Sequence, residues 1–150
     1  MKNGCILRDD QARFIYKVSF LCLISTSYAL HRKHYDMALV PGGVFLTSIN
    51  YWRRPDYSWR RYVDMSYVSL AISYQLLRAR NAEMGFYYYL FTFSALLCYP
   101  FGVNFYNKKM YWASVYAHCM LHVFANVANV YLYSGHIVPV RCDLFGYQCD

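Results

Sequence analysis

The most informative absence in this 150-residue sequence is charge. Only 15% of the residues are Asp, Glu, Lys or Arg, whereas a soluble domain carries about 25%. Hydrophobic residues make up 58% of the chain, which excludes an intrinsically disordered protein, because such chains combine low hydrophobicity with high charge. The charges that are present form short clusters between long uncharged runs. This pattern is typical of a polytopic membrane protein and not of a nucleic-acid-binding protein, whose basic residues follow helix faces.

Two further absences narrow the class. None of the six cysteines has a partner at C-x-x-C spacing, which argues against a zinc ribbon or a dithiol redox motif. The first apolar stretch follows the charged segment 8–13 and precedes no small-residue cleavage site, so a secretory signal peptide is not expected. Cys142 and Cys149 are close enough in sequence to form a small disulfide loop if the C-terminal tail faces an oxidising compartment.

The hydropathy pattern predicts an all-α protein, a polytopic transmembrane helix bundle that forms one domain over residues 1–150. A helix needs about 20 mainly apolar residues to cross a bilayer. The uncharged runs with their flanks predict five spans, near residues 14–30, 36–53, 62–79, 84–103 and 110–134. Four spans are the alternative, if the first helix lies along the membrane surface.

Proline and glycine predict where these helices end or break. Pro41-Gly42-Gly43 interrupts the second predicted span, and Pro100 with Gly102 predicts an end or a kink in the fourth. The last span is predicted to end at Ser134-Gly135, because glycine favours the position after a helix. Since transporters also use broken helices, a channel or transporter element is one hypothesis for the function.

The loops predict the orientation. About twice as many Lys and Arg residues lie on the side of the N-terminus as on the opposite side. Positive residues favour the cytoplasmic face, so the N-terminus is expected in the cytoplasm and the C-terminus in the lumen or outside the cell. Lys17 and Arg78, inside predicted spans, are expected to extend toward the lipid head groups.

The last span carries the clearest polar pattern. Ser114, His118, His122 and Asn126 are each four residues apart, and Asn129 follows three residues later. This spacing puts them on one face of a helix. Two histidines four residues apart can bind one metal ion. The alternative is that this face only forms hydrogen bonds with neighbouring helices.

Two more polar residues are expected at the same depth. Asp64 lies near the start of the third span and Ser48 near the end of the second. The predicted topology brings both close to His118 and His122 near the cytoplasmic face. An ionisable group inside a membrane is a candidate functional residue, although Asp64 could also be an interfacial carboxylate paired with a neighbouring arginine.

These residues resemble the motifs of the CREST superfamily of integral membrane hydrolases, which includes alkaline ceramidases, progestin/adiponectin receptors and haemolysin III-like proteins. In that family a Ser-x-x-x-His motif ends one span, an Asp opens the next, and a His-x-x-x-His motif lies in the last span. The corresponding residues here are Ser48 to Trp52, Asp64, and His118 with His122. The resemblance implies zinc bound by both histidines, and hydrolysis of an amide or ester in a lipid with Ser48 and Asp64 in catalytic roles.

The sequence departs from the family at one ligand. Trp52 stands where the family has its first histidine, and an indole nitrogen only donates hydrogen bonds. A catalytic zinc ion has three protein ligands, so either Asp64 is the third ligand here or the site holds no metal. Two hypotheses follow. The chain is a small lipid hydrolase or its inactive relative, with membrane lipids as partners, or it is a non-catalytic subunit that packs against other membrane proteins. Nucleic acid is not expected as a partner.

Overall fold

The computed structural model describes residues 6–139, and this part of the chain is all-helical. Its six helices have the following bounds: α1 Asp9–Val18, α2 Leu21–His31, α3 Tyr35–Trp52, α4 Trp59–Ala79, α5 Gly85–Asn107 and α6 Tyr111–Ser134.

Short turns connect the long helices. Lys33, between α2 and α3, and Lys109, between α5 and α6, both have φ of 61°, the left-handed conformation that usually follows the end of a helix. In each turn a backbone hydrogen bond to the residue five positions earlier ends the preceding helix. These bonds run from His34 N to Ala29 O and from Met110 N to Phe105 O, both over 2.9 Å. These tight turns make consecutive helices antiparallel.

The first predicted span is two helices instead of one. The chain turns at Ser19 and Phe20, between α1 and α2. Ser19 is fully buried, and its Oγ donates a hydrogen bond to the carbonyl oxygen of Ile15 over 3.1 Å. A serine that bonds back to its own helix competes with the backbone pattern and bends it, which accounts for the break.

The other four predicted spans each coincide with one helix, α3 to α6. The predicted end at Ser134-Gly135 is confirmed, since α6 ends at Ser134. The predicted helix ends at the prolines are wrong, whereas the alternative of a kink at Pro100 stays a prediction. Helix α3 continues through Pro41, and α5 continues through Pro100 to Asn107. Pro41 is the seventh residue of α3, so it removes the backbone hydrogen bond to the carbonyl oxygen of Met37. The hydroxyl of Tyr133 on α6 donates to that oxygen instead, over 3.3 Å.

The helices form a ring in the order α2, α3, α4, α5, α6 and back to α2, with α1 packed against α6 and α3. Neighbours in the ring are in close contact except α4 and α5, which touch over little of their length. Two apolar clusters close the ring at its ends. One contains Met37, Tyr88, Leu132 and Tyr133, and the other contains Ile15, Tyr51, Trp52 and Val115. The candidate site lies between these two clusters.

Two helical segments, Asp9–His31 and Gly85–Asn107, are long and apolar enough to cross a membrane. Helices α3, α4 and α6 have the length but a lower mean hydropathy, because polar and tyrosine residues are frequent in them. Large apolar side chains are exposed on the outside of the ring, among them Leu39, Leu70, Phe86 and Phe93.

Candidate functional site

Ser48, Asp64, His118 and His122, the four residues that the sequence predicts to converge, line one cavity of about 330 Å³ inside the ring. We call this space the central cavity. Its other lining comes from all the helices of the ring and includes Cys22, Gln75, Tyr88, Thr92, Asn126 and Asn129. The structure therefore brings together the residues that the spacing and the topology indicated, in a space large enough for several water molecules.

Asp64 is held by two hydroxyl groups of α3. Ser48 Oγ donates a hydrogen bond to Asp64 Oδ1 over 2.9 Å, and Thr47 Oγ1 donates to the same oxygen over 2.8 Å. Ser48 is 2% exposed and Asp64 is 9% exposed. Within residues 6–139 no arginine pairs with Asp64, so the interfacial ion pair considered from the sequence is not formed there. The second hydroxyl donor, Thr47, was not predicted.

The two histidines lie one turn apart on α6, with ring centroids separated by 5.2 Å. His122 is 4% exposed. Its Nδ1 lies 4.0 Å from the sulfur of Cys22 on α2, and its Nε2 is buried without a hydrogen-bond partner in the part of the chain that the structure describes. A buried polar atom without a partner costs about 1–3 kcal/mol. The contact with α2 therefore accounts for one ring nitrogen of His122 and not for the other.

Asn126 and Asn129, on the same face of α6, do bond to neighbouring helices. Ser25 on α2 donates to Asn126 Oδ1. Gln75 on α4 donates from Nε2 to Asn129 Oδ1 over 2.9 Å and to the hydroxyl of Tyr133 over 2.7 Å. Gln75 is 5% exposed and was not singled out from the sequence, although an uncharged amide in the middle of an apolar span is a signal for such a contact.

Trp52 packs against His118. The ring centroids are 4.7 Å apart with an interplanar angle of 61°. The indole nitrogen is buried and has no acceptor among residues 6–139. Trp52, which stands where the CREST motif has its first histidine, therefore contacts one histidine of the pair, His118. However, it brings an aromatic ring and an N–H donor there instead of a metal ligand.

The expected zinc ligands are not gathered into a formed metal site. Within the described part of the chain, no three His, Cys, Asp or Glu side chains are grouped so that they could hold a metal ion. Two hydroxyl groups bind Asp64 Oδ1, and the Cys22 thiol lies beside His122. Zinc binding by His118, His122 and Asp64 therefore stays a prediction.

A second polar group lies at the end of the ring away from Trp52, where α3 begins and α4 ends. Arg78 is 3% exposed, and its Nε lies 3.4 Å from Asp36 Oδ2, to which Tyr74 also donates a hydrogen bond over 2.8 Å. Arg78 thus packs inside the protein and does not extend outward as predicted. Burial, together with the nearby Arg32, lowers the pKa of His34 in the adjacent turn.

Three cysteines in the described residues, Cys22, Cys98 and Cys119, are free thiols. The first and last are buried, as expected for small apolar residues in helices. The proposed pair Cys142 and Cys149 lies outside the described residues.

A second cavity of about 320 Å³ adjoins the central one. We call it the end cavity, because residues near the ends of α3, α4, α5 and α6 line it, including Trp52, Tyr57, Arg61, Tyr106, Asn107 and Ser114. Four residues line both cavities and form their common wall: Asp64, Met65, Tyr99 and His118. The polar face of α6 thus runs along both spaces, with Ser114 in the end cavity and Asn126 in the central cavity.

The chain matches no protein-family model, and no curated protein and no solved structure matches it.

Proposed function

We propose that this chain is a small multi-pass membrane protein with five spans, related in design to the CREST superfamily, whose central cavity binds a lipid amide or ester without hydrolysing it. The observation that carries the proposal is that Ser48, Asp64, His118 and His122 share one cavity. Apolar residues such as Val44, Val68 and Leu96 line the same space. The central cavity thus combines a cluster of polar side chains with apolar walls. Such a lining suits the junction between the head group of a lipid and its acyl chains.

The outer surface supports a location in the membrane. Only 17% of the residues in the most apolar window of α5 are buried inside the protein, whereas the apolar core helix of a soluble protein is mostly buried. Leu39 is 72% exposed on α3, Leu70 is 70% exposed on α4 and Phe86 is 73% exposed on α5. Soluble proteins rarely expose so continuous an apolar surface, and lipid would cover it.

Trp52 supports binding without hydrolysis. A zinc hydrolase needs three protein ligands around the metal ion, and the described residues offer no such group. Because the indole ring contacts His118, it also takes up space where a ligand would have to stand. Ser48 and Asp64 then serve as hydrogen-bonding groups for the polar part of the lipid, and not as catalytic residues.

Three measurements test the proposal: alkaline extraction of the membrane, lipid binding and release of fatty acid. The chain should stay in the membrane pellet after washing at alkaline pH. The protein purified in detergent should bind a fluorescent ceramide or monoacylglycerol but release no fatty acid from either. Ala95→Phe should abolish binding, because Ala95 is 4% exposed and lines the central cavity. Leu97→Phe is the matched control, since Leu97 is 43% exposed on the same helix.

Release into the alkaline supernatant would refute the membrane assignment. Fatty-acid release that requires His118 and His122, with about one zinc ion per chain, would refute the non-hydrolytic assignment and favour a zinc-dependent lipid hydrolase. Equal binding by both α5 variants would show that lipid does not occupy the central cavity.

A second candidate function, a non-catalytic subunit of a larger membrane complex, is favoured by the aromatic surface of α5. Phe86, Tyr89, Phe93 and Phe101 are exposed along this helix, and aromatic residues are enriched at protein interfaces. In mild detergent a subunit should migrate with its partner. Phe93→Ala should weaken that association, whereas Leu70→Ala on α4 should leave it unchanged.

The proposed orientation places the N-terminus in the cytoplasm and the C-terminus in the lumen or outside the cell. The support is the excess of Lys and Arg in the N-terminal segment, the α3–α4 loop and the α5–α6 loop. A glycosylation tag at each terminus tests this assignment. The tag at the C-terminus should be glycosylated and the tag at the N-terminus should not.

A further inference from the structure

The end cavity contains a cation without an acidic partner in the described residues. Arg61 lines the cavity, and its guanidinium lies 5.0 Å from the ring centroid of Tyr57. Within residues 6–139 no carboxylate forms an ion pair with Arg61. The ring fixes the position of the guanidinium by a cation–π contact, and its hydrogen-bond donors remain available to an anion.

Arg60, the neighbouring arginine, differs from Arg61 because it has an acidic partner. Arg60 Nη2 lies 2.7 Å from Asp56 Oδ2 and also donates a hydrogen bond to the carbonyl oxygen of Arg54. Hydrogen bonds from Ser58, together with the Arg60 guanidinium, hold the pKa of Asp56 below its usual range, so the pair persists at neutral pH. Arg60 does not line the end cavity. Its charge is thus already neutralised, whereas that of Arg61 is not.

A second donor in the wall of this cavity has no acceptor among the described residues. Trp52 lines the end cavity and not the central one. It is 9% exposed, and its indole N–H has no hydrogen-bond partner within residues 6–139. Since buried donors are nearly always paired in folded proteins, this N–H is available to an acceptor oxygen of a ligand in the cavity.

The surroundings of the end cavity are basic. Exposed residues in the two loops at this end of the ring add four positive charges: Arg53 and Arg54 after α3, and Lys108 and Lys109 after α5. Clustered positive charge raises the local concentration of anions and attracts anionic lipid head groups. Asp64 is the carboxylate in the cavity lining, and it lies in the wall shared with the central cavity, at the inner limit of the space.

From these observations we infer that the end cavity binds the phosphate group of a membrane lipid, whose acyl chains enter the central cavity. Arg61 supplies the charge and Trp52 the additional N–H donor. The shared wall of Asp64, Met65, Tyr99 and His118 marks the passage from head group to chains. The inference rests on the proposed function and narrows its ligand from any lipid amide or ester to a phosphate-bearing lipid ester.

Isothermal titration calorimetry of the full chain in neutral detergent tests the inference. The two probes are dioctanoyl phosphatidic acid and dioctanoylglycerol, which have the same acyl chains and differ in the phosphate. We expect the phosphatidic acid to bind at least about tenfold more tightly, a difference of about 1.4 kcal/mol. Inorganic phosphate alone should not bind measurably, because it lacks the contribution of the acyl chains.

Three variants identify the contacts. Arg61→Gln should remove the preference for phosphatidic acid, whereas Arg60→Gln, the control with the same change of charge, should keep it. Trp52→Phe should reduce the preference about threefold or more and leave dioctanoylglycerol binding unchanged. Circular dichroism of each variant verifies that the helical content is retained, and dioctanoylglycerol binding verifies that the cavity is intact.

The possible failures are distinguishable. Equal binding of the two lipids, or equal loss in Arg60→Gln and Arg61→Gln, would overturn the phosphate site. Binding of inorganic phosphate as tight as that of the lipid would assign the site to a free anion instead. If neither lipid binds, the proposed function itself fails. If both bind equally and Ala95→Phe removes both, only the phosphate inference fails.

Discussion

The hydrogen bond between Ser48 and Asp64 makes a quantitative prediction about the candidate site. The Ser48 Oγ to Asp64 Oδ1 distance is 2.9 Å and both residues are buried. Hydrogen bonds to a charged group contribute about 1.5–3 kcal/mol in soluble proteins, but side-chain hydrogen bonds between membrane helices average about 0.6 kcal/mol and reach about 1.7. Thr47 donates to the same oxygen and shares part of this stabilisation. We therefore expect the coupling between Ser48 and Asp64 to be about 1 kcal/mol.

A double-mutant cycle measures this coupling. The free energies of unfolding of the original chain, Ser48→Ala, Asp64→Ala and the double variant would be determined in mixed micelles with increasing denaturing detergent, monitored by circular dichroism. Ser48→Ala should cost about 1 kcal/mol more in the presence of Asp64 than in its absence. Ser73→Ala is the control, because Ser73 is exposed and bonds only to its own helix, so its effect should be the same in both backgrounds. A coupling below about 0.3 kcal/mol would refute the view that Ser48 positions Asp64.

Four further predictions concern the rest of the fold and are read from the same unfolding assay. Leu132→Ala should lower the free energy of unfolding by about 2–5 kcal/mol, since Leu132 is fully buried. A loss below about 1 kcal/mol would argue against the core packing. Gln75→Leu should cost about 1–2 kcal/mol, because it leaves two buried partners on α6 without their donor, and a neutral effect would contradict that network. Gly85→Ala should cost about 1–3 kcal/mol by overpacking, as its Cβ would lie 2.4 Å from the carbonyl oxygen of Ala79, and a stabilised variant would contradict the close approach. Because burial lowers the pKa of His34 in the folded protein, the free energy of unfolding should fall as the pH is lowered through about 6.5, the ordinary histidine value, and His34→Gln should lose this part of the pH dependence.

The positions of the helices could be predicted from the sequence because two simple signals coincide. Charged clusters and tight turns separate the uncharged runs, and the glycine after Ser134 ends α6 where the pattern indicated. The break at Ser19 was missed, because it depends on a side-chain hydrogen bond to the preceding turn. The helices were expected to be interrupted at Pro41 and Pro100, but both continue past the proline. Neither proline lies in the first turn, so each removes one backbone hydrogen bond, and the neighbouring helices hold the remainder of each helix in place.

The candidate site could be predicted in part for a similar reason. The four-residue spacing on α6 fixed which side chains share a face, and alternating helix direction fixed which ends meet. Those two rules brought Asp64 close to His118. The hydrogen-bond partners of individual side chains were harder to predict from the sequence, because they depend on the rotation of each helix about its axis. For that reason Thr47 and Gln75, which bind Asp64 and Asn129, could not be identified from spacing alone.

The most direct test of the account is native mass spectrometry of the intact protein released from neutral detergent, because one spectrum reports bound lipid and bound metal together. The account predicts the mass of one chain with one phosphate-bearing lipid and no zinc, and loss of that lipid in Arg61→Gln. A chain carrying one zinc ion and no lipid, with the metal lost when His118 and His122 are both replaced by alanine, would contradict it.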